Sequence, residues 1–151
     1  MDSRLNITEL EKKLNECLTN KVPVLAVTGI VGTTEESVVD NLSEIYRLKQ
    51  EFAKKNLYFH FHIDAAYGGY FCSMRKKRKP ENWDSVSSYV EKQLDIFKHS
   101  DSITFDPHKT GYVPYCCGGI IYRNYRLRDN LSFSAPYIYT GAEPNMAIYG
   151  I

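Results

Sequence analysis

The sequence predicts an α/β fold: a mainly parallel sheet with helical crossovers. Two observations carry that expectation. Short apolar runs with the length of buried strands alternate along the chain with longer segments whose apolar residues recur at helical spacing. Consecutive strands separated by helices are most simply joined by crossovers that keep the strands parallel. A third observation concerns position: polar, chemistry-bearing residues collect just after the strands. That is where ligands bind in open α/β sheets.

The elements follow in order. Residues 3–19 are expected to be helical, with Leu5, Leu10, Leu14, Cys17 and Leu18 near one face. Val22 to Val27 reads as a buried strand. Thr28 to Thr34, with two glycines and three threonines, reads as a loop. A second helix is expected from Val38 to Lys55, with Val39, Leu42, Ile45, Leu48 and Phe52 facing inward. Leu57 to Ile63 is a strand ending at Asp64. Met74 to Asp84, rich in Arg and Lys, is expected to be a solvated loop. Residues 85–99 read as a helix, Ser102 to Phe105 as a strand, and Cys116 to Tyr122 as containing another. The last thirty residues give no clear element.

Composition narrows the function classes. A net charge of +1 over 151 residues gives no reason to expect nucleic acid or an anionic membrane as a partner. No apolar run approaches the roughly 20 residues of a membrane span. Cys17, Cys72, Cys116 and Cys117 lack metal-ligand spacing and are expected to be free thiols. The chain is thus expected to be soluble and cytoplasmic, with no bound metal.

Two stretches can carry chemistry. Asp64 ends an apolar strand and precedes Ala65-Ala66-Tyr67-Gly68-Gly69. A carboxylate so placed is partly buried and needs a partner. It can be a turn former or a counter-charge for a protonated ring nitrogen, and the small Ala66 lets a flat ring approach the backbone. Asp106-Pro107-His108-Lys109 follows the next short strand. A lysine there is a surface charge or, if buried, an amine freed as a nucleophile. An acid for a pyridinium nitrogen together with a lysine for an aldehyde is the pair a pyridoxal site requires.

The strings FHIDAAYGG and DSITFDPHK resemble the group II pyridoxal-dependent amino-acid decarboxylases, built on the fold-type-I, aspartate aminotransferase-like scaffold. VGTTEESVVDNL is similar to a further block of that family, with Ser37-Val38 in place of its usual Gly-Ala at what reads as a helix start. DPHKTGYVPYCCGG is most similar to the bacterial tyrosine-decarboxylase branch.

The resemblance implies pyridoxal 5′-phosphate as cofactor, joined to Lys109 as a Schiff base. It implies that Asp64 binds the pyridine nitrogen, Ala66 packs on a ring face and Thr34 contacts the cofactor. His108 is implied to position phosphate or lysine, Asp106 to face the phosphate region, and Tyr115 to aid protonation or substrate fit. His62 would support Asp64 from behind the strand or be a satisfied core histidine.

The implied reaction is decarboxylation of an L-amino acid to its amine, with tyrosine favoured and glutamate next. Another fold-type-I lyase and a non-catalytic remnant are the alternatives. The resemblance further implies that residues 1–151 form part of the large domain, without its N-terminal part or the small domain, and that the intact enzyme is a homodimer.

Overall fold

A computed structural model describes residues 3–74 and 87–127. The chain divides into two compact units, Met1–Ile121 and Tyr122–Ile151. In the second unit the described residues are 122–127, where the Arg126 N–H donates to Asn124 Oδ1 over 3.1 Å. The first unit holds all that is discussed below except Tyr122.

Helix α1 spans Ile7–Thr19. It starts four residues later than its apolar spacing suggests because Asn6 caps it, accepting from the Glu9 N–H. Strand β1 is Ala26–Ile30, helix α2 is Leu42–Ala53, and strand β2 is His60–Asp64. A 3-10 helix covers Gly69–Met74. Helix α3, Ser88–Leu94, passes into a second 3-10 helix, Asp95–His99. Strands β3, Ser102–Phe105, and β4, Gly119–Tyr122, complete a sheet of order β1-β2-β3-β4. β1 pairs with β2 and β2 with β3, both parallel, as the α/β reading requires.

Two boundaries differ instructively. β1 lies four residues further on than expected, and it absorbs Thr28-Gly29-Ile30, which read as loop. Gly29 is a packing device here: a Cβ on it would lie 2.4 Å from Leu42 Cδ2 and 2.9 Å from Ile45 Cδ1. The missing side chain lets α2 seat directly on the strand. Gly29→Ala is therefore expected to cost about 1–3 kcal/mol, the usual scale of overpacking, read as a lower midpoint in chemical denaturation.

α2 begins at Leu42, not at Val38. Asp40, 5% exposed, uses Oδ2 to accept from the Ile30 N–H (2.8 Å) and Oδ1 from the Leu5 N–H (2.7 Å). Asn41 then caps the helix. Ser37 consequently stands in a turn, not at a helix start, with φ of 53°. The left-handed region disfavours any residue with a Cβ. Ser37→Gly is expected to raise stability by about 1 kcal/mol, measurable as a higher thermal midpoint.

β4 lies within the expected Cys116 to Tyr122 stretch. It begins at Gly119, leaving Cys116 and Cys117 in the preceding loop. None of the four cysteines forms a disulfide. Residues 75–84, the basic stretch, lie outside the described residues, as do 85–86 of the expected third helix and most of the last thirty.

The core sits between one sheet face and α1 and α2. Leu42, Ile45, Leu48 and Phe52 from α2 meet Val27, Phe61 and Ile63 from the strands. Asp101 locks the start of β3. Its Oδ2 accepts from the Phe61 N–H over 2.7 Å and pairs with the Lys49 ammonium. Burial tends to raise the Asp101 carboxyl, but the Lys49 ammonium and the Phe61 N–H outweigh it and hold the group below the usual carboxylate range. Among the described residues, no helix is long and apolar enough to cross a membrane.

Candidate active site

The parallel register brings the carboxyl ends of β2 and β3 side by side. Asp64, the last residue of β2, pairs with Ile30 on one side and Thr104 on the other. Beyond it the chain turns at once: the Ala66 N–H donates to Asp64 Oδ1 over 3.1 Å. The carboxylate is half-buried, and one oxygen is held by its own loop.

The loop after β2 is stitched to both neighbours. The Gly68 N–H donates to the Val31 carbonyl at 2.9 Å, and a Cβ on Gly68 would lie 2.5 Å from that oxygen. Only glycine permits that approach. On the other side the Asp106 N–H donates to the Ala66 carbonyl (3.1 Å), and the Thr110 hydroxyl donates to the Tyr67 carbonyl (2.6 Å). Ala66 and the lysine loop are thus joined directly through backbone.

Within the second loop, Lys109 Nζ lies 2.8 Å from Asp106 Oδ2. The lysine side chain is 40% exposed and the aspartate 19%. The sequence-based route to a reactive amine, through burial, is not the arrangement here: Lys109 reaches solvent and has an acid as its neighbour. His108 Nε2 stands 4.0 Å from the same Asp106 oxygen, while Nδ1 faces the Cys117 backbone, 3.3 Å from its nitrogen. The Tyr115 ring packs edge-on against His108 at 4.8 Å between centroids and is otherwise 85% exposed.

The structure therefore gathers Asp106, His108, Lys109 and Tyr115 in one loop and ties that loop to Asp64 and Ala66. Thr34 stands exposed in the loop after β1. Its neighbour Thr33 does the structural work there, accepting from the Val38 N–H at 3.0 Å.

A group of hydroxyls and histidines behind Asp64 carried a weaker sequence signal. His60, Ser102 and Thr104 join His62 through hydrogen bonds across β2 and β3. Their mark in the sequence is the alternation of polar with apolar residues in both strands, which places them on one face. Among the described residues, no group of three or more His, Cys, Asp or Glu side chains is placed to hold a metal ion.

The donor set suits a pyridoxal ring. Asp64 offers a carboxylate with a free oxygen, Lys109 an accessible amine, and Ala66 a side chain small enough for a flat ring to lie over it. The negative Asp106 is a poor neighbour for a phosphate, and it is engaged by Lys109 instead.

Comparison with known proteins identifies the family. The pyridoxal-dependent decarboxylase conserved domain matches residues 1–149. An L-tyrosine decarboxylase of Enterococcus faecium is 36% identical over 157 residues, covering 91% of this chain and 26% of the relative. An L-aspartate decarboxylase of Thermococcus kodakarensis is 32% identical, covering 93% of this chain and 32% of the relative. The crystal structure of Catharanthus roseus tryptophan decarboxylase in complex with L-tryptophan superposes with a TM-score of 0.67 at 19% identity, covering 90% of this chain and 25% of that one. The likeness extends the fold-type-I reading to the observed sheet. The chain spans about a quarter to a third of the length of these relatives. With the domain matched over nearly all of its residues, the chain belongs to the pyridoxal-dependent decarboxylase family.

Proposed function

We propose that these residues are the cofactor-anchoring part of an enzyme that decarboxylates an L-amino acid with pyridoxal 5′-phosphate, tyrosine being the favoured substrate. The observation that carries this reading is the direct link between the two loops. The Asp106 N–H bonded to the Ala66 carbonyl fixes the lysine loop against the loop that follows Asp64. An acid and an amine held on adjacent strand ends can grip the two ends of one flat ring.

The residues divide the work. Lys109 supplies the amine that binds the cofactor's aldehyde carbon. Asp106 keeps that amine in place by its ion pair. Asp64, steadied by the Ala66 N–H, would accept a hydrogen bond from the protonated ring nitrogen and keep the proton there. Bound and protonated there, the cofactor supplies an electron sink for the bond broken at the substrate α-carbon. His108 holds the lysine loop to the Cys117 backbone and packs against the Tyr115 ring. The phenol of Tyr115 would return a proton to the product.

Tyrosine is favoured because tyrosine decarboxylases match this chain at 34–36% identity over most of its length. The aspartate decarboxylase relatives make an acidic amino acid the second reading. Carbon dioxide release should be measured with tyrosine, aspartate and glutamate. Release from tyrosine alone supports the reading. Release from none, with cofactor demonstrably bound, refutes decarboxylation.

A further inference from the structure

The sheet face opposite α2 carries a polar row of which the assignments above use only Asp64. His60, His62 and Asp64 alternate with fully buried Phe61 and Ile63, so all three point to that face. Parallel pairing sets Ser102 beside His62 and Thr104 beside Asp64. Ser102, 3% exposed, brings Oγ within 2.7 Å of both His60 Nε2 and His62 Nδ1. Thr104 Oγ1 lies 2.9 Å from His62 Nε2. Both nitrogens of the His62 ring therefore meet a hydroxyl, which fixes its plane one residue pair behind Asp64.

We propose that His62, clamped between Ser102 and Thr104, is a positioning residue for Asp64 that stays uncharged, so that the carboxylate's charge is left for the cofactor's ring nitrogen. The inference rests on the assignment of Asp64 made above. A neutral imidazole has one donor and one acceptor, and a hydroxyl can meet either. The clamp thus satisfies the neutral ring completely without a carboxylate partner.

The electrostatics point the same way. Burial is the largest effect and pushes the His62 imidazole below its ordinary value, with His60 adding to it, while the Asp64 carboxylate and a hydrogen bond to the Ser102 backbone pull it up without outweighing burial. The groups around the ring are His60 and Asp64 from its own strand, Thr28 in register from β1, and Ser102 and Thr104 from β3. Asp101 acts on His60 and is itself engaged by Lys49. A proton added to His62 would place a second cation near Asp64, competing with the protonated ring nitrogen for one carboxylate. Acidification below the ordinary histidine value, where His62 would at last take up a proton, should therefore loosen the cofactor.

The test measures the dissociation constant of pyridoxal 5′-phosphate, by its absorbance on binding, from about pH 8 to about pH 5, the range over which histidine changes charge. Wild type, His62→Gln, His62→Lys and Asp64→Asn are compared. Glutamine can donate to one hydroxyl and accept from the other, so His62→Gln should bind like wild type at high pH. It should lose about tenfold less affinity than wild type on acidification, roughly the 1.4 kcal/mol of one decade. His62→Lys should bind weakly across most of the range. If His62→Gln weakens with acid as wild type does, while Asp64→Asn loses the cofactor, the role of His62 is overturned and that of Asp64 stands. If Asp64→Asn binds as tightly as wild type, the assignment of Asp64 falls, and this inference with it. Imidazole titration by NMR in cofactor-free wild type gives an independent reading that needs no variant. A His62 midpoint below the ordinary value supports the proposal, and one at or above it overturns it.

Discussion

Replacing Lys109 with alanine is expected to leave a folded protein that no longer binds pyridoxal 5′-phosphate covalently. The physical reason is the separation of the lysine's two roles. Its structural contact is an ion pair with Asp106 three residues away, on a side chain that is 40% exposed. Pairs of that kind contribute only about 0–1 kcal/mol, so the fold should survive. Its chemical role has no substitute in the same loop, since His108 is turned toward Cys117 and Asp106 is an acid.

Borohydride reduction followed by peptide mass spectrometry should find the pyridoxyl group on Lys109 in wild type and nowhere in the variant. Turnover should fall by on the order of 10³-fold or more, the scale seen when a covalent catalytic group is removed. Lys109→Arg sharpens the test. It keeps a charge for Asp106 but offers no nucleophile, and it should fail in the same way. Cofactor trapped on another residue, or turnover retained in either variant, would remove Lys109 from the mechanism.

Asp64→Asn is expected to weaken pyridoxal 5′-phosphate by about 10- to 100-fold. That range corresponds to the 1.5–3 kcal/mol usual for a hydrogen bond to a charged group. Asparagine keeps the shape of the side chain and an oxygen for the Ala66 N–H, so the loop after β2 should be undisturbed. What is lost is the negative charge that keeps the ring nitrogen protonated, and with it much of the electron demand at the substrate. The rate should fall even at saturating cofactor. A variant with weaker binding but an unchanged saturated rate would show that Asp64 anchors the ring without tuning it.

Much of this was legible from periodicity alone. The α2 stripe of Leu42, Ile45, Leu48 and Phe52 is buried as its spacing requires, and β3 runs from Ser102 to Phe105 as the apolar pattern indicates. Asp64 closes its strand, and Lys109 follows the next one. The element starts were less legible because capping and tertiary contacts set them. Asn6 and Asn41 stop the helices from extending backward. Gly29 looks like a loop residue until Leu42 and Ile45 are seen above it. Ser37 looks like part of a helix until Asp40 is seen bonded to Ile30 and Leu5.

The site divides along the same line. Residue identity and order along the chain determine that an acid and a lysine stand at successive strand ends, because a parallel α/β sheet places all its strand ends on one edge. Local sequence cannot say which side chains meet across strands, since that depends on register. The His62–Ser102 and Asp64–Thr104 neighbours exist only because β2 and β3 pair in one alignment out of several. Only the tertiary structure decided that Lys109 is an exposed amine paired with Asp106, and that His62 is held by two hydroxyls behind Asp64. Burial and partnership are properties of the packed chain, and they, more than residue type, decide what a charge or a ring can do.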